Sequence, residues 1–240
     1  MLYIVGMGSG SSEGMTGEAV NAIESSSLIV GYRVYNELMR PHFPEKMYFS
    51  TGMRQEKERV LFALEQAACG LTVSLVCSGD AGVYGMAGLA LELSENYGNV
   101  RIKVIPGVTA ALSGAALLGS PLTNDFAVIS LSDLLTPWET IENRLTHAAA
   151  GDFAIAIYNP MSKKRTDNLR KACEIILGYR RAETPCGIAE NAGREGERTA
   201  VLTLGELQNT VVDMFTTVFV GNSVTRVING QLVTPRGYVL

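Results

Sequence analysis

The chain has 240 residues, of which 47% are apolar and 18% charged, and its formal net charge is −4. This length allows two small domains or one large α/β domain, and the apolar content excludes a disordered chain. The negative balance argues against a general nucleic-acid-binding protein, which would present a basic stripe. An acidic small-molecule ligand stays possible, because it needs only local cations.

The cysteines and histidines are too scattered to form a recognisable metal site, so we expect no metal and no disulfide framework. Free thiols are typical of a reducing cytosol. The N-terminus lacks the basic segment and long apolar run of a signal peptide, and no stretch reaches the roughly 20 apolar residues that cross a bilayer. We therefore expect a cytoplasmic protein without a membrane segment. The cysteines and histidines of the chain are Cys69, Cys77, Cys173, Cys186, His42 and His147.

The first half of the chain alternates strand-like and helix-like segments. Thr16 is a candidate N-cap of the first helix, and the run 72–77 is apolar without alternation, which indicates burial on both faces. Such a βαβ rhythm predicts a mostly parallel sheet. The predicted strands are 2–5, 28–30, 72–77 and 100–105, and the later predicted helices are 54–68, 85–95 and 109–118.

A break at 119–122 predicts a boundary between an N-terminal domain, 1–119, and a C-terminal domain, 123–240. In the second half, Thr136 is the expected N-cap of a helix. Asn229-Gly230 between apolar runs predicts a hairpin, so this domain should have a mixed sheet. The predicted strands are 126–131, 153–158, 186–189 and 214–220, and a further helix is predicted at 166–177.

The first motif is Gly6-Met-Gly8-Ser-Gly10, between a strand and a helix. Glycines there allow positive φ and close approach of the main chain to a ligand. A dinucleotide site would need the spacing G-x-G-x-x-G and an acid at the end of the second strand, and both are missing. A tight strand-to-helix turn is an equally good interpretation.

The second motif, 78–85, is Ser-Gly-Asp-Ala-Gly-Val-Tyr-Gly at the carboxyl end of the buried strand. Ligands of open α/β sheets bind at that end. Asp80 could accept hydrogen bonds from ribose hydroxyls or an amino group. Alternatively, Asp80 only caps the following helix.

Two weaker motifs follow later strands. Pro106-Gly107-Val-Thr109 makes a turn whose threonine could bind a ligand or cap a helix. Tyr158-Asn159-Pro160 precedes three cations, which could bind an anion or could simply be solvated. Those cations are Lys163, Lys164 and Arg165.

Together these motifs resemble the tetrapyrrole (corrin/uroporphyrinogen) methyltransferase family over essentially the whole chain. Longer segments resemble the branch that methylates C-17 of precorrin-3B or cobalt-factor III. Those segments are 51–53, 78–86, 130–138, 158–160, 184–187 and 234–238.

The resemblance implies two α/β domains with a cleft between them, a homodimer, and S-adenosylmethionine as methyl donor, with S-adenosylhomocysteine as product. It implies a tetrapyrrole substrate, and the charge and hydropathy of the chain predict that neither nucleic acid nor a membrane is a partner. The cofactor contacts it implies are Gly79, Asp80, Ala81, Val83, Thr109, Ala110, Asn159 and Ala192. The substrate contacts to expect are Gly8, Gly10, Arg33, Arg54, Lys163 and Arg165, with Lys164 and Arg194 as further cations.

In this branch methylation accompanies contraction of the ring, a step that could use a general base. The candidates by position are Asp80, Ser132, Asp133 and Glu190. Three alternatives stay open: a related enzyme of different regiospecificity, such as a C-11 methyltransferase; a nicotinamide-dependent oxidoreductase; and a non-catalytic nucleotide-binding domain.

Overall fold

The computed structural model describes residues 1–162 and 164–239. The chain forms two compact units, Met1–Ala110 and Ala111–Leu240. This division lies one helix before the 119–122 segment at which the sequence suggested a boundary. No helix of the described residues is long and apolar enough to cross a membrane.

The first unit has one five-stranded sheet of order β3-β2-β4-β1-β5 in which every pairing is parallel. Strand β4 is buried at every position, as its unbroken apolar run predicted, and it lies in the middle of the sheet. The predicted parallel sheet is confirmed. The strands are β1 (Leu2–Gly6), β2 (Leu28–Tyr32), β3 (Met47–Thr51), β4 (Val73–Cys77) and β5 (Ile102–Ile105).

The helices of this half connect the strands. The predicted cap is confirmed, because the Thr16 hydroxyl accepts a hydrogen bond from the Ala19 amide at 3.1 Å. The helices of the first unit are α1 (Gly17–Glu24), α2 (Arg33–Met39), α3 (Glu56–Ala68) and α4 (Ala87–Leu93). Helix α5 (Ala110–Leu118) follows β5, and all but its first residue lies in the second unit.

The second unit contains a five-stranded mixed sheet of order β10-β9-β11-β8-β7 and a small sheet of order β12-β13-β6. Only β7 and β8 are parallel in the larger sheet, which confirms the predicted mixed character. The strands are β6 (Gly119–Ser120), β7 (Phe126–Ser130), β8 (Ala154–Tyr158), β9 (Pro185–Glu190), β10 (Arg198–Thr203), β11 (Thr216–Val220), β12 (Arg226–Ile228) and β13 (Gln231–Val233), and the helices are α6 (Trp138–Ala150), α7 (Asn168–Leu177) and α8 (Leu204–Leu207).

Two local predictions about the second unit have opposite outcomes. The N-cap assigned to Thr136 is wrong: Pro137 is the N-cap, without a side-chain hydrogen bond, and the helix begins at Trp138. The predicted turn is confirmed, because Asn229 and Gly230 have φ of 50° and 79° and connect two antiparallel strands. Two successive positive φ values are what a tight hairpin turn requires.

Helix α5 packs within the second unit from Ala111 onward. Ala111, Ala115 and Leu118 form one buried cluster with the β-sheet residues Ala156 and Phe219. A Cβ at position 114 would lie 3.0 Å from the Phe219 ring, so a glycine there lets the helix approach the sheet. This packing explains why the helix belongs to the second unit.

The buried thiols give a prediction about the fold. Burial raises the pKa of Cys77 to about 11 and that of Cys173 to about 12, and it also raises the pKa of Cys186. Because the thiolate is the reactive form, a thiol reagent near pH 8 should modify only the exposed Cys69 in the folded protein. In denaturant all four cysteines should react, and Cys69→Ser should abolish labelling of the folded protein. Rapid native modification of a second cysteine would contradict this packing.

Candidate functional site

Three neighbouring strands of the first unit, β4, β1 and β5, bring glycines together at their carboxyl ends. A Cβ at Gly107 would lie 2.2 Å from the Gly79 carbonyl oxygen and 2.5 Å from the Gly6 carbonyl oxygen. A Cβ at Gly6 would in turn lie 2.6 Å from the Gly107 amide nitrogen. Side chains cannot occupy such positions without moving the backbone. The three loops therefore meet main chain to main chain at this edge.

The Gly6–Gly10 turn is tied to the loop after β4. The Gly8 amide donates to the Gly79 carbonyl at 3.0 Å, and the Gly79 amide donates back at 2.8 Å. Gly8 and Gly10 are buried and have φ of 57° and 95°. The contact with Gly79 accounts for Gly8, and the positive φ accounts for Gly10, without a dinucleotide. Any substrate contact they make would be through the main chain.

Asp80 uses its carboxylate to organise the same edge. Its Oδ1 accepts from the amides of Gly82 at 2.7 Å and Val83 at 3.2 Å, and its Oδ2 accepts from the Gly107 amide at 2.9 Å. Three of roughly four lone-pair positions on a carboxylate are thus occupied. The helix-cap alternative for Asp80 is wrong, because α4 has Met86 as its N-cap.

The cofactor candidates of the first unit differ in exposure. Gly79 and Ala81 are buried, whereas Val83, Thr109 and Ala110 are partly exposed. Between Asp80 and α4 the loop exposes Gly82, Tyr84 and Gly85. This edge therefore offers accessible main chain with few bulky side chains.

Arg33 and Arg54 both follow strands of this sheet and are exposed. Neither side chain makes an ion pair or hydrogen bond with any residue in 1–162 or 164–239. Arg54 has a left-handed backbone with φ of 67°.

A neighbouring arginine, Arg59 of α3, was not identified from the sequence, and it is 4% exposed. Its Nε donates to the Thr51 hydroxyl at 2.7 Å and its Nη2 donates to the Gly52 carbonyl at 2.9 Å. The surrounding helix is polar enough to suggest a solvated charge at this position. Its place one helical turn before the buried Ala63 is the only sequence feature that hints at burial, and it does not reveal the partners of the guanidinium.

In the second unit, Tyr158 is the last residue of β8, which lies beside the parallel strand β7, and Asn159 follows it. The Tyr158 hydroxyl accepts from the Ala111 amide at 2.6 Å, which positions the first turn of α5. Asn159 has φ of 52° and donates to the Ser130 hydroxyl at 2.9 Å. The Ser132 amide donates to that same hydroxyl at 3.2 Å. This network holds the two strand ends together.

Charged groups lie next to these strand ends. Asp133 is 3.9 Å from Nη1 of Arg165, whose Nε donates to the Ser162 hydroxyl at 3.2 Å. Within the described chain, Nη1 of Arg165 has no hydrogen-bond partner. Lys164 is exposed, and the predicted contact Lys163 lies outside the described residues.

Glu190 and Ala192 lie at the end of β9. Glu190 accepts from Arg198 on the neighbouring strand at 2.8 Å, and these hydrogen bonds raise the pKa of Arg198. Ala192 is half-buried in a turn between Asn191 and Gly193, which both have positive φ. Glu190 is thus already committed to a cross-strand ion pair.

A comparison with known proteins identifies the family of this chain. Residues 1–208 match the family model of tetrapyrrole (corrin/porphyrin) methylases. The chain belongs to the tetrapyrrole methylase family.

A probable cobalt-factor III C(17)-methyltransferase of Salmonella typhimurium is 45% identical to this methylase, over 100% of both chains. The crystal structure of the methyltransferase CobJ is 36% identical with a TM-score of 0.90, over 98% of this chain and 99% of that one. Uroporphyrin-III C-methyltransferase of Thermus thermophilus, in complex with S-adenosylhomocysteine, shares the fold at 22% identity with a TM-score of 0.70, over 92% and 91% of the two chains.

The glycine contact in this methylase can be tested with two alanine substitutions. Gly107→Ala should lower the free energy of unfolding by about 1–3 kcal/mol, because the new methyl group meets two carbonyl oxygens. Gly88→Ala is the matched control: nothing lies within 4 Å of its Cβ, and its helix should gain about 0.5–1 kcal/mol. Denaturant titration measures both values. Equal effects of the two substitutions would contradict the close contact.

Proposed function

We propose that this methylase transfers a methyl group from S-adenosylmethionine to C-17 of cobalt-factor III or precorrin-3B, with ring contraction, in cobalamin biosynthesis. The observation that carries the proposal is the identity of 45% with a probable cobalt-factor III C(17)-methyltransferase along both complete chains. The likeness to CobJ agrees with it.

The methyl donor would supply an electrophilic methyl group on a sulfonium. In the first unit, Asp80, Val83, Thr109 and Ala110 are the partly exposed residues that would hold it. Gly79 and Ala81 are buried and would support the conformation of this loop. In the second unit we assign Asn159 and Ala192 to the same ligand. The S-adenosylhomocysteine complex of a protein with this fold supports the choice of donor.

Methyl transfer requires little acid–base chemistry from the chain. The ring carbon of an electron-rich tetrapyrrole is itself the nucleophile, so the protein has mainly to hold it in line with the methyl group. Positioning of two reactants can contribute roughly 7–11 kcal/mol in favourable cases. The rigid loop around Asp80, held by three amides, is suited to this purpose.

Ring contraction converts the C-20 oxygen substituent into a carbonyl, a step that could use a general base. The four candidates for this base, Asp80, Ser132, Asp133 and Glu190, are not equally suited. Asp80 already accepts three amide hydrogen bonds, and Glu190 is paired with Arg198. Ser132 is a hydroxyl and a poor base near neutral pH. The Asp133 side chain is 39% exposed, and its arginine partner is 3.9 Å away. We assign the base to Asp133.

The substrate is a polyanion, and we assign its carboxylates to exposed or partly exposed arginines. Arg33 and Arg54 would serve in the first unit and Arg165 in the second, with Lys163 as a further candidate. We also propose that the enzyme is a cytoplasmic homodimer and that it binds neither nucleic acid nor a membrane.

A turnover assay tests the proposed reaction. The purified protein receives labelled S-adenosylmethionine with either cobalt-factor III or precorrin-3B under anaerobic conditions, and products are analysed by mass spectrometry and carbon NMR. We expect one added methyl group at C-17 with at least one of the two substrates. Methylation at another carbon, or of neither ring, would overturn the assignment.

The role of Asp133 predicts a separate product. Asp133→Asn should still bind S-adenosylhomocysteine and methylate the ring, but it should release a methylated product that has not contracted. Asp167→Asn is the control, because Asp167 is an exposed carboxylate whose side chain makes no helix-cap hydrogen bond. A contracted product from Asp133→Asn at the normal rate would exclude Asp133 as the base.

A further inference from the structure

One buried guanidinium connects the carboxyl ends of three adjacent strands in the first unit. Arg59 donates to Thr51, the last residue of β3, and to the carbonyl of Gly52. Its Nη1 contacts the Met86 sulfur at 3.4 Å, at the end of the loop that follows β4. The guanidinium carbon lies 5.9 Å from the ring of Tyr32, the last residue of β2.

Arg59 forms no ion pair with a described residue, and Glu56 in the same helix acts on its charge only from a longer distance. In the described parts of the chain, no carboxylate lies within 4 Å of this guanidinium, and its partners are a hydroxyl, a carbonyl and a sulfur. Burial lowers the pKa of Arg59. Burying an unpaired charge is costly, and apolar packing of similar volume would fill the same space at less cost. The planar fork of donors is therefore the feature that this position needs.

The fork fixes the turn that carries Arg54. The Gly52 carbonyl accepts from Arg59, while the Gly52 amide donates to Gln55 Oε1 at 2.6 Å. Gly52 is thus held on both sides. Two residues later, Arg54 is in the left-handed region with φ of 67°, where most side chains other than those of Asn and Asp are strained.

The strained residue is also the exposed cation of this turn. The Arg54 side chain has no hydrogen bond or ion pair to any described residue. A strained backbone is retained where the surrounding structure imposes it, and such strain is concentrated at ligand contacts. The guanidinium of Arg59 and the side-chain amide of Gln55 are the groups that hold Gly52, two residues before Arg54.

We propose that Arg59 is a positioning residue that holds the Thr51–Arg54 turn so that Arg54 binds a carboxylate of the tetrapyrrole substrate. This inference rests on the proposed function and adds to it a specificity device at the carboxyl edge of the first sheet. Arg59 itself acts through the turn and not on the reacting atoms.

Steady-state kinetics of the full-length enzyme test the proposal. Arg54→Asn keeps a residue that tolerates the left-handed region and removes the charge. It should raise the KM for the tetrapyrrole about 10-fold or more, the loss expected for a hydrogen bond to a charged group, and leave the KM for S-adenosylmethionine unchanged. Arg59→Met should do the same, and the double variant should be no worse than Arg54→Asn alone. Lys57→Met, on the exposed face of the same helix, is the control and should behave as wild type.

A second pair of variants keeps the test valid if Arg59→Met does not fold. Thr51→Val removes the acceptor of the Arg59 Nε without changing volume, and it should raise only the tetrapyrrole KM, whereas Thr51→Ser should restore the wild-type value. Equal increases in both KM values, an unchanged tetrapyrrole KM, or multiplying effects in the double variant would each overturn the proposal. If the wild-type enzyme methylates neither tetrapyrrole, the proposed function fails and this inference fails with it. Unaltered kinetics of Arg59→Met and Thr51→Val beside an active wild type contradict the inference alone.

Discussion

The main-chain contact of Gly6, Gly79 and Gly107 is the constraint on which the first unit's site depends. It brings the loops after β1, β4 and β5 closer than any side chain would allow. The Asp80 carboxylate then joins the second and third of these loops through the Gly107 amide. Two further amides give the 78–85 loop its shape. The acid is thus part of the scaffold, and a ligand would meet a preformed edge and pay little ordering entropy on binding.

Charge is distributed so that a protein of net charge −4 can hold a polyanion. Two of the acids near the strand ends are occupied: Asp80 by backbone amides and Glu190 by Arg198. Arg33 and Arg54 are exposed without such partners in the described chain. A local positive field can therefore exist despite the negative total, because what an anion meets is the nearby unpaired charge.

The sequence correctly predicted those features that are determined by residues close together in the chain. The apolar run of β4, the Thr16 cap and the Asn229-Gly230 turn are all local features, and all three are confirmed. Strand β3 was not predicted from the sequence. It is an edge strand in which four of the five residues are exposed or partly exposed, and its apolar and polar residues do not alternate. Arg59 could not be found, since its partners lie on other elements and no spacing rule connects them. The family motifs located the Asp80 loop, but its hydrogen bonds to the main chain required coordinates.

Hydrogen exchange of backbone amides, with and without S-adenosylhomocysteine, tests most directly whether the Asp80 edge holds the methyl donor. We expect the ligand to slow exchange in peptides covering 78–86 and 106–110, and we expect Asp80→Asn to weaken this protection. Protection of peptides covering 6–10, with no change at 78–86 or 106–110, would contradict it.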